Sequence, residues 1–148
     1  MNRLKSAPDP AAVPGAEAVM FSLLGVAHAI EERLEQALSP IGLSTSKLGV
    51  LTQLIEAGAP LPLSELAARL SCVRSNMTQL VDRLEADGLV RRVDDPADRR
   101  SVLAIVTRLG EDRQAAGAAE LARVREAFAA ALPRADRAAF ARALAALR

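Results

Sequence analysis

Residues Leu63–Arg92 read LSELAARLSCVRSNMTQLVDRLEADGLVRR, and the fold turns on this stretch. Leu66, Ala67 and Leu70 share one side of a short helix that Ser64 is placed to cap. A tight break follows at Ser71. Met77, Leu80, Val81 and Leu84 then recur at three- and four-residue steps, which predicts a further helix over about Val73 to Ala86. Gly88 stands where a helix-ending glycine belongs, and Leu89 to Val93 begins a β-prone run. Two short helices, a tight turn between them and a hairpin after them form the layout in which the second helix enters a major groove and the hairpin reaches alongside.

Working downstream, Leu89–Val93 and Ser101–Thr107 flank the charged loop Asp94–Arg100, a β-hairpin with a long polar tip. Beyond Gly110 the composition turns to Ala, Arg, Glu and Leu, with Leu121, Val124, Phe128 and Leu132 at helical spacing. Pro133 interrupts, and Phe140, Leu144 and Leu147 define a last short helix. Upstream, Ala57–Pro62 is a connection. Ser44 or Thr45 offers an N-cap for a helix to about Glu56, with Leu48, Leu51, Leu54 and Ile55 inward. Ser39-Pro40-Ile41-Gly42 ends the first helix, about Ala16 to Leu38, whose Met20, Leu23, Leu24, Ala27, Ile30, Leu34 and Leu38 mark a buried stripe. Val19, Phe21 and Val26 widen that stripe beyond one contact, and a helix apolar on several faces must be covered on each. A partner subunit is the natural cover. Met1 to Gly15, with Pro8, Pro10 and Pro14, reads as a disordered tail.

Composition narrows the function. The 148 residues carry a net charge of +1 with 51% hydrophobic and 25% charged residues, as expected of a globular protein. Aromatic residues make up only 2%, which disfavours single-strand binding by base stacking. One cysteine allows no intrachain disulfide and fits a reducing cytoplasm. No zinc-type cluster appears, no metal or cofactor is implied, and one histidine leaves little from which to build a catalytic triad, so the chain does not read as an enzyme. The N-terminal stretch lacks the apolar core of a signal peptide. Val19–Ile30 is too short to span a bilayer.

Near-neutral charge gives no basic footprint, so any DNA reading must come from local placement of arginines. The polar face of the helix after Ser71 offers Arg74, Ser75, Asn76, Thr78, Gln79 and Arg83, largely off the Met77/Leu80/Val81/Leu84 stripe. Arg pairs with guanine, Asn and Gln with adenine, and Ser or Thr with phosphate or base edges. The plain alternative is a solvated helix face, but no Asp or Glu occurs between Ser71 and Leu80, where an ordinary surface helix carries acids in its first turn. At the hairpin tip Arg99 and Arg100 could enter a minor groove, with Asp98 bracing one of them through an ion pair. A solvated charged turn is the alternative there, and placement after the helix pair favours the first reading.

The order Leu63-Ser64-Glu65-Leu66-Ala67, Leu80-Val81-Asp82-Arg83-Leu84-Glu85, Gly88-Leu89-Val90-Arg91-Arg92, Asp95-Pro96-Ala97-Asp98-Arg99-Arg100 and Val106-Thr107 with Gly110 resembles the MarR family. Each fragment alone is weak, and the order and spacing make the resemblance specific. It implies a mainly α fold with a small β-hairpin: a winged helix-turn-helix, with a DNA-binding core at about 61–108 and dimerisation helices at about 16–38 and 110–148. It further implies a homodimer on a pseudo-palindromic operator in double-stranded DNA, with half-sites one helical turn apart, the helix from Val73 in the major groove and wing arginines in the minor groove. The family's bracing pair would correspond to Asp98 and Arg100, leaving Arg99 freer. Many members, usually repressors, release DNA on binding a small ligand or on oxidative stress. The family's ligand crevice would here draw on the first, second and fifth helices.

Two residues invite other roles. Cys72 lies at the turn into the reading helix beside Arg74, a setting in which a thiol could be oxidised. The family's peroxide sensors carry their cysteine early in the first helix with supporting tyrosines, and this chain has neither, so a small packed residue is the default reading. His28 is read as a packed or interface histidine in preference to a pH-sensitive ligand group. Two alternatives to the regulator remain: a winged-helix protein-interaction module without DNA affinity, and a thiol-based function through Cys72.

Overall fold

The computed structural model describes residues 14–98, 100–132 and 134–147. The chain divides at Glu32/Arg33 into two compact units. Helix α1, Ala16–Leu38, supplies all of the described structure before that division. Its Val19, Met20, Phe21, Leu24 and Val26 are exposed, and Leu38 is its one buried residue. The expected buried stripe is therefore corrected: in the single chain Leu23, Ile30 and Leu34 are half-buried, and Met20, Leu24 and Ala27 lie open. His28 is exposed and pairs with Glu32 at 3.4 Å one turn along, not packed in a core.

The second unit runs from Arg33 through α2 (Thr45–Ala57), β1 (Leu61–Pro62), α3 (Leu63–Arg69), α4 (Arg74–Ala86), β2 (Val90–Asp94), β3 (Val102–Val106), α5 (Arg108–Ala131) and α6 (Arg134–Ala145). One core joins the elements from α2 to the start of α5, and among the described residues α6 contributes no buried residue to it. Leu38, Leu51, Leu66, Met77, Val81, Leu84 and Val90 are almost fully buried, with Leu48, Leu54, Leu61, Leu89 and Ala104 around them. Ile55, expected inward, is exposed: on its turn of α2 it is Leu54 that enters the cluster, and Ile55 lies at the edge of the buried face.

The same turn closes three helical segments. At Gly42, Ser71 and Gly88 the residue has positive φ, at 74°, 50° and 71°. In each case the following N–H reaches back five residues, Leu43 to Leu38, Cys72 to Ala67 and Leu89 to Leu84, at 2.8–3.1 Å. This is the doubly bonded left-handed cap that satisfies orphan carbonyls. Ser71 is the exception in chemistry, since a side chain there occupies a conformation that L-residues resist. The break between α3 and α4 is thus a helix cap built without glycine.

Starts are set differently. Ser44 caps α2 by accepting from the Lys47 N–H at 3.2 Å. Ser64 does not cap α3: the helix begins at Leu63, after Pro62, and Ser64 lies within its first turn. The sheet has three strands in the order β1-β3-β2, all antiparallel, with Val90 opposite Val106 and Asp94 opposite Val102. The two-residue strand β1, pairing Leu61 with Ala104, lies in what the sequence presents as a connection. It anchors the start of α3 to the hairpin. Residues 1–13 and Pro133, the tail and the interruption read from the sequence, lie outside the described residues.

The joint between hairpin and α5 is tight. Thr107 caps α5 by accepting from the Gly110 N–H at 3.1 Å, and its hydroxyl donates to the Gly88 carbonyl at 2.7 Å. Gly110 belongs to the first turn of α5 and does not precede the helix; a β-carbon there would lie 2.1 Å from the Leu89 carbonyl oxygen. Only glycine permits that approach.

Candidate nucleic-acid interface

Helix α4 is sealed on one side by Met77, Val81 and Leu84, and Leu80 is half-buried. Arg74, Ser75, Asn76, Thr78, Gln79 and Arg83 are all exposed. The first turn carries no acid. The Thr78 hydroxyl donates to the Arg74 carbonyl at 3.1 Å, which leaves its oxygen lone pairs outward. Among the described residues, Arg74, Arg83 and Arg100 enter no ion pair.

The six residues do not form one surface. Arg74 and Thr78 turn toward the hairpin and line a groove of about 520 Å³ with Ser64, Asp82, Arg92 and Arg100. Asn76, Gln79 and Arg83 turn toward the start of α2 and line a groove of about 310 Å³ with Ser46, Lys47 and Cys72. The exposed face of α4 is thus a ridge with a cationic furrow on its hairpin side and an amide-rich furrow on the other.

At the tip, the Asp95 carboxylate accepts from the Ala97 N–H at 2.8 Å and the Asp98 carboxylate accepts from the Arg100 N–H at 2.9 Å. Asp98 therefore shapes the loop through the main chain, and among the described residues no side-chain ion pair joins it to Arg100 as expected. Arg99 lies outside the described residues. Cys72 is half-buried, with its sulfur 3.4 Å from the Val73 carbonyl oxygen.

Residues 43–102, from just before α2 to the first residue of β3, match the MarR family. That stretch, the helix pair and the first strand of the hairpin, carries the likeness to the MarR family. An uncharacterized HTH-type transcriptional regulator of Bacillus subtilis, YkoM, is 34% identical over 85 residues, which cover 57% of this chain and 51% of that protein. The chain spans about half the length of the curated relatives it matches. Among solved structures, the MarR-family regulator AbsC of Streptomyces coelicolor superposes with a TM-score of 0.75 at 28% identity, over 86% of this chain and 88% of AbsC. CouR of Rhodococcus jostii RHA1, solved bound to p-coumaroyl-CoA, gives 0.70 at 26% identity over 89% and 92%. The mainly α fold with a small antiparallel sheet is thus the MarR winged-helix fold.

A further crevice of about 370 Å³ lies between α2 and α5, lined by Leu48, Thr52, Gln114, Leu121 and Arg125, with Leu70 at the end of α3. The first helix, expected to contribute, supplies none of its lining. Gln114 donates to Thr52 across it at 3.3 Å. No helix among the described residues is long and apolar enough to cross a membrane.

Arg92 is the residue that the sequence reading passes over. Its position on β2, with Arg91 pointing out and Arg92 half-buried, follows from strand alternation. The available signal was the pair Asp82 and Glu85, which have no basic partner three or four residues away on their own helix and must be neutralised from elsewhere.

Proposed function

We propose that the chain is a transcription regulator that binds double-stranded DNA as a homodimer, with α4 in the major groove and the β2–β3 hairpin at the adjacent minor groove. The observation that carries this reading is the exposed set Arg74, Ser75, Asn76, Thr78, Gln79 and Arg83 on a helix whose first turn carries no acid and whose opposite side is locked into the core. Such a set can donate to phosphates and read base edges without repelling the backbone. Arg100, and Arg99 beside it in sequence, supply the wing contact, and Asp98 holds the turn that presents them. The core at about 61–108 binds DNA. The helices at about 16–38 and 110–148 pair with a second copy, which accounts for exposed Phe21, Leu24, Phe140 and Leu144.

The protein acts in the cytoplasm as a repressor, released by a small ligand or a stress signal. The α2–α5 crevice supports this: it is apolar, carries Arg125 and two amides, and is of a size that admits a small anionic molecule. A ligand there releases DNA only if it binds one dimer geometry better than the other.

The test is fluorescence anisotropy of two labelled duplexes, the DNA upstream of the gene and a random sequence, at several salt concentrations. The expected result is tighter binding to the upstream duplex, two chains per site and a log-linear loss with salt. Absence of binding to either duplex at low salt would overturn the reading in favour of a protein-interaction module.

A further inference from the structure

We infer that Arg92 is a positioning residue for DNA recognition: a strut that fixes the angle between the reading helix α4 and the wing. The inference rests on the DNA-binding reading above. From β2, the Arg92 guanidinium contacts α4 at three levels. Nη1 lies 2.5 Å from Asp82 Oδ1 and 3.0 Å from Glu85 Oε2, and Nη2 donates to the Thr78 carbonyl at 3.2 Å. The Arg92 main-chain N–H donates to Glu85 Oε1 at 3.0 Å. Thr78, Asp82 and Glu85 form one stripe along α4, so a single planar fork ties together groups from successive turns of the helix.

Three observations separate this cluster from an ordinary surface ion pair. The Arg92 side chain is three-quarters buried, at 25% exposure, so the guanidinium is held in place even though the Asp82 and Glu85 carboxylates stay open to solvent. Glu85 is held twice, by the guanidinium and by the main chain of the same residue, which fixes the strand to the helix at one point rather than through flexible tips. Arg92 and Asp82 also line the groove together with Arg74, Thr78 and Arg100. The groups proposed to touch DNA from the helix and from the wing are therefore spaced by Arg92. Arg92 need not touch DNA to set their separation, and it cancels Asp82 and Glu85, which would otherwise repel phosphate.

The positioning and charge roles predict different outcomes, and anisotropy on the upstream and random duplexes separates them. Arg92→Ala is expected to weaken binding to both duplexes at least tenfold and to reduce the preference for the upstream duplex. Adding Asp82→Asn and Glu85→Gln to it removes the exposed carboxylates, so random-duplex affinity returns to near the wild-type value while the preference stays reduced. Arg92→Lys keeps the charge but not the fork, and is expected to bind random DNA as the wild type does with weakened preference. Asp82→Asn with Glu85→Gln in the presence of Arg92 reduces preference without lowering random-duplex affinity, and carries the test if Arg92→Ala does not fold. Unchanged preference in Arg92→Lys and in the double carboxylate variant, or full return of preference in the triple variant, would overturn the strut. Failure of the wild-type protein to bind either duplex would instead overturn the DNA-binding reading.

Discussion

Met77, Val81 and Leu84 on α4 recur at helical spacing and are sealed at 0% exposure; Phe21 and Leu24 on α1, at comparable spacing, stand 59% and 60% exposed. Both helices carry the same kind of pattern. The periodicity marks a face that needs cover, and it does not say which chain provides the cover. For the reading core the cover is the chain itself, through α2, α3 and the sheet. For the flanking helices α1 and α6, the apolar side chains exceed what scattered surface leucines explain, and the proposed second copy is the cover. The core is then expected to be stable by itself and the flanks to be stable only in company.

The largest effects should come from breaking the self-sufficient side of that contrast. Met77→Ala removes a fully buried side chain and should cost about 2–5 kcal/mol. Gly110→Ala, which forces a β-carbon into the Leu89 carbonyl, should cost about 1–3 kcal/mol or more. Both are measured by denaturant unfolding, and the core reading requires the loss to be the same at every protein concentration. Next, Phe21→Glu with Leu24→Glu should abolish the dimer in sedimentation while leaving the helical circular dichroism of the core in place; a variant that remains dimeric would remove α1 from the interface.

Smaller effects sharpen the reading surface. Arg74→Ala is expected to cost about 1–3 kcal/mol on the specific duplex and less on a random one, as for a base-edge contact. Equal losses on every sequence would make it a phosphate contact. Arg100→Ala should reduce the salt slope of binding by about one on all duplexes. The smallest change is a gain: Ser71→Gly relieves the left-handed turn between α3 and α4 and should stabilise the protein by up to about 1 kcal/mol, the entropy of a freer unfolded chain offsetting part of the relief.

The core was legible where local chemistry and burial coincide. Leu48, Leu51, Leu54, Leu66, Met77, Val81 and Leu84 were readable from spacing, and Gly88 from its place after the last apolar residue of α4. What escaped depends on partners distant in sequence. Strand β1 is two residues long, includes a proline, and exists only because Leu61 meets Ala104. Ile55 fits the α2 stripe by spacing and faces away by tertiary packing. The exposed row on α4 was readable as a polar face, but its division into two furrows required the positions of β2 and α2, which no local pattern encodes. Asp98 reads from the sequence as an ion-pair brace for a wing arginine, while its bond to the Arg100 main chain belongs to the geometry of one turn.

Thr107 closes a mechanical argument. One hydroxyl caps the long helix α5 and grips the carbonyl of Gly88, where the chain leaves α4, and Gly110 leaves no clearance beside it. A gear train with no backlash would behave in this way, and a rotation of the α5 shaft at its root is expected to reach the exit of the reading helix. Loosening this single pivot, as Thr107→Ala would, should introduce play into the train before it disturbs either wheel.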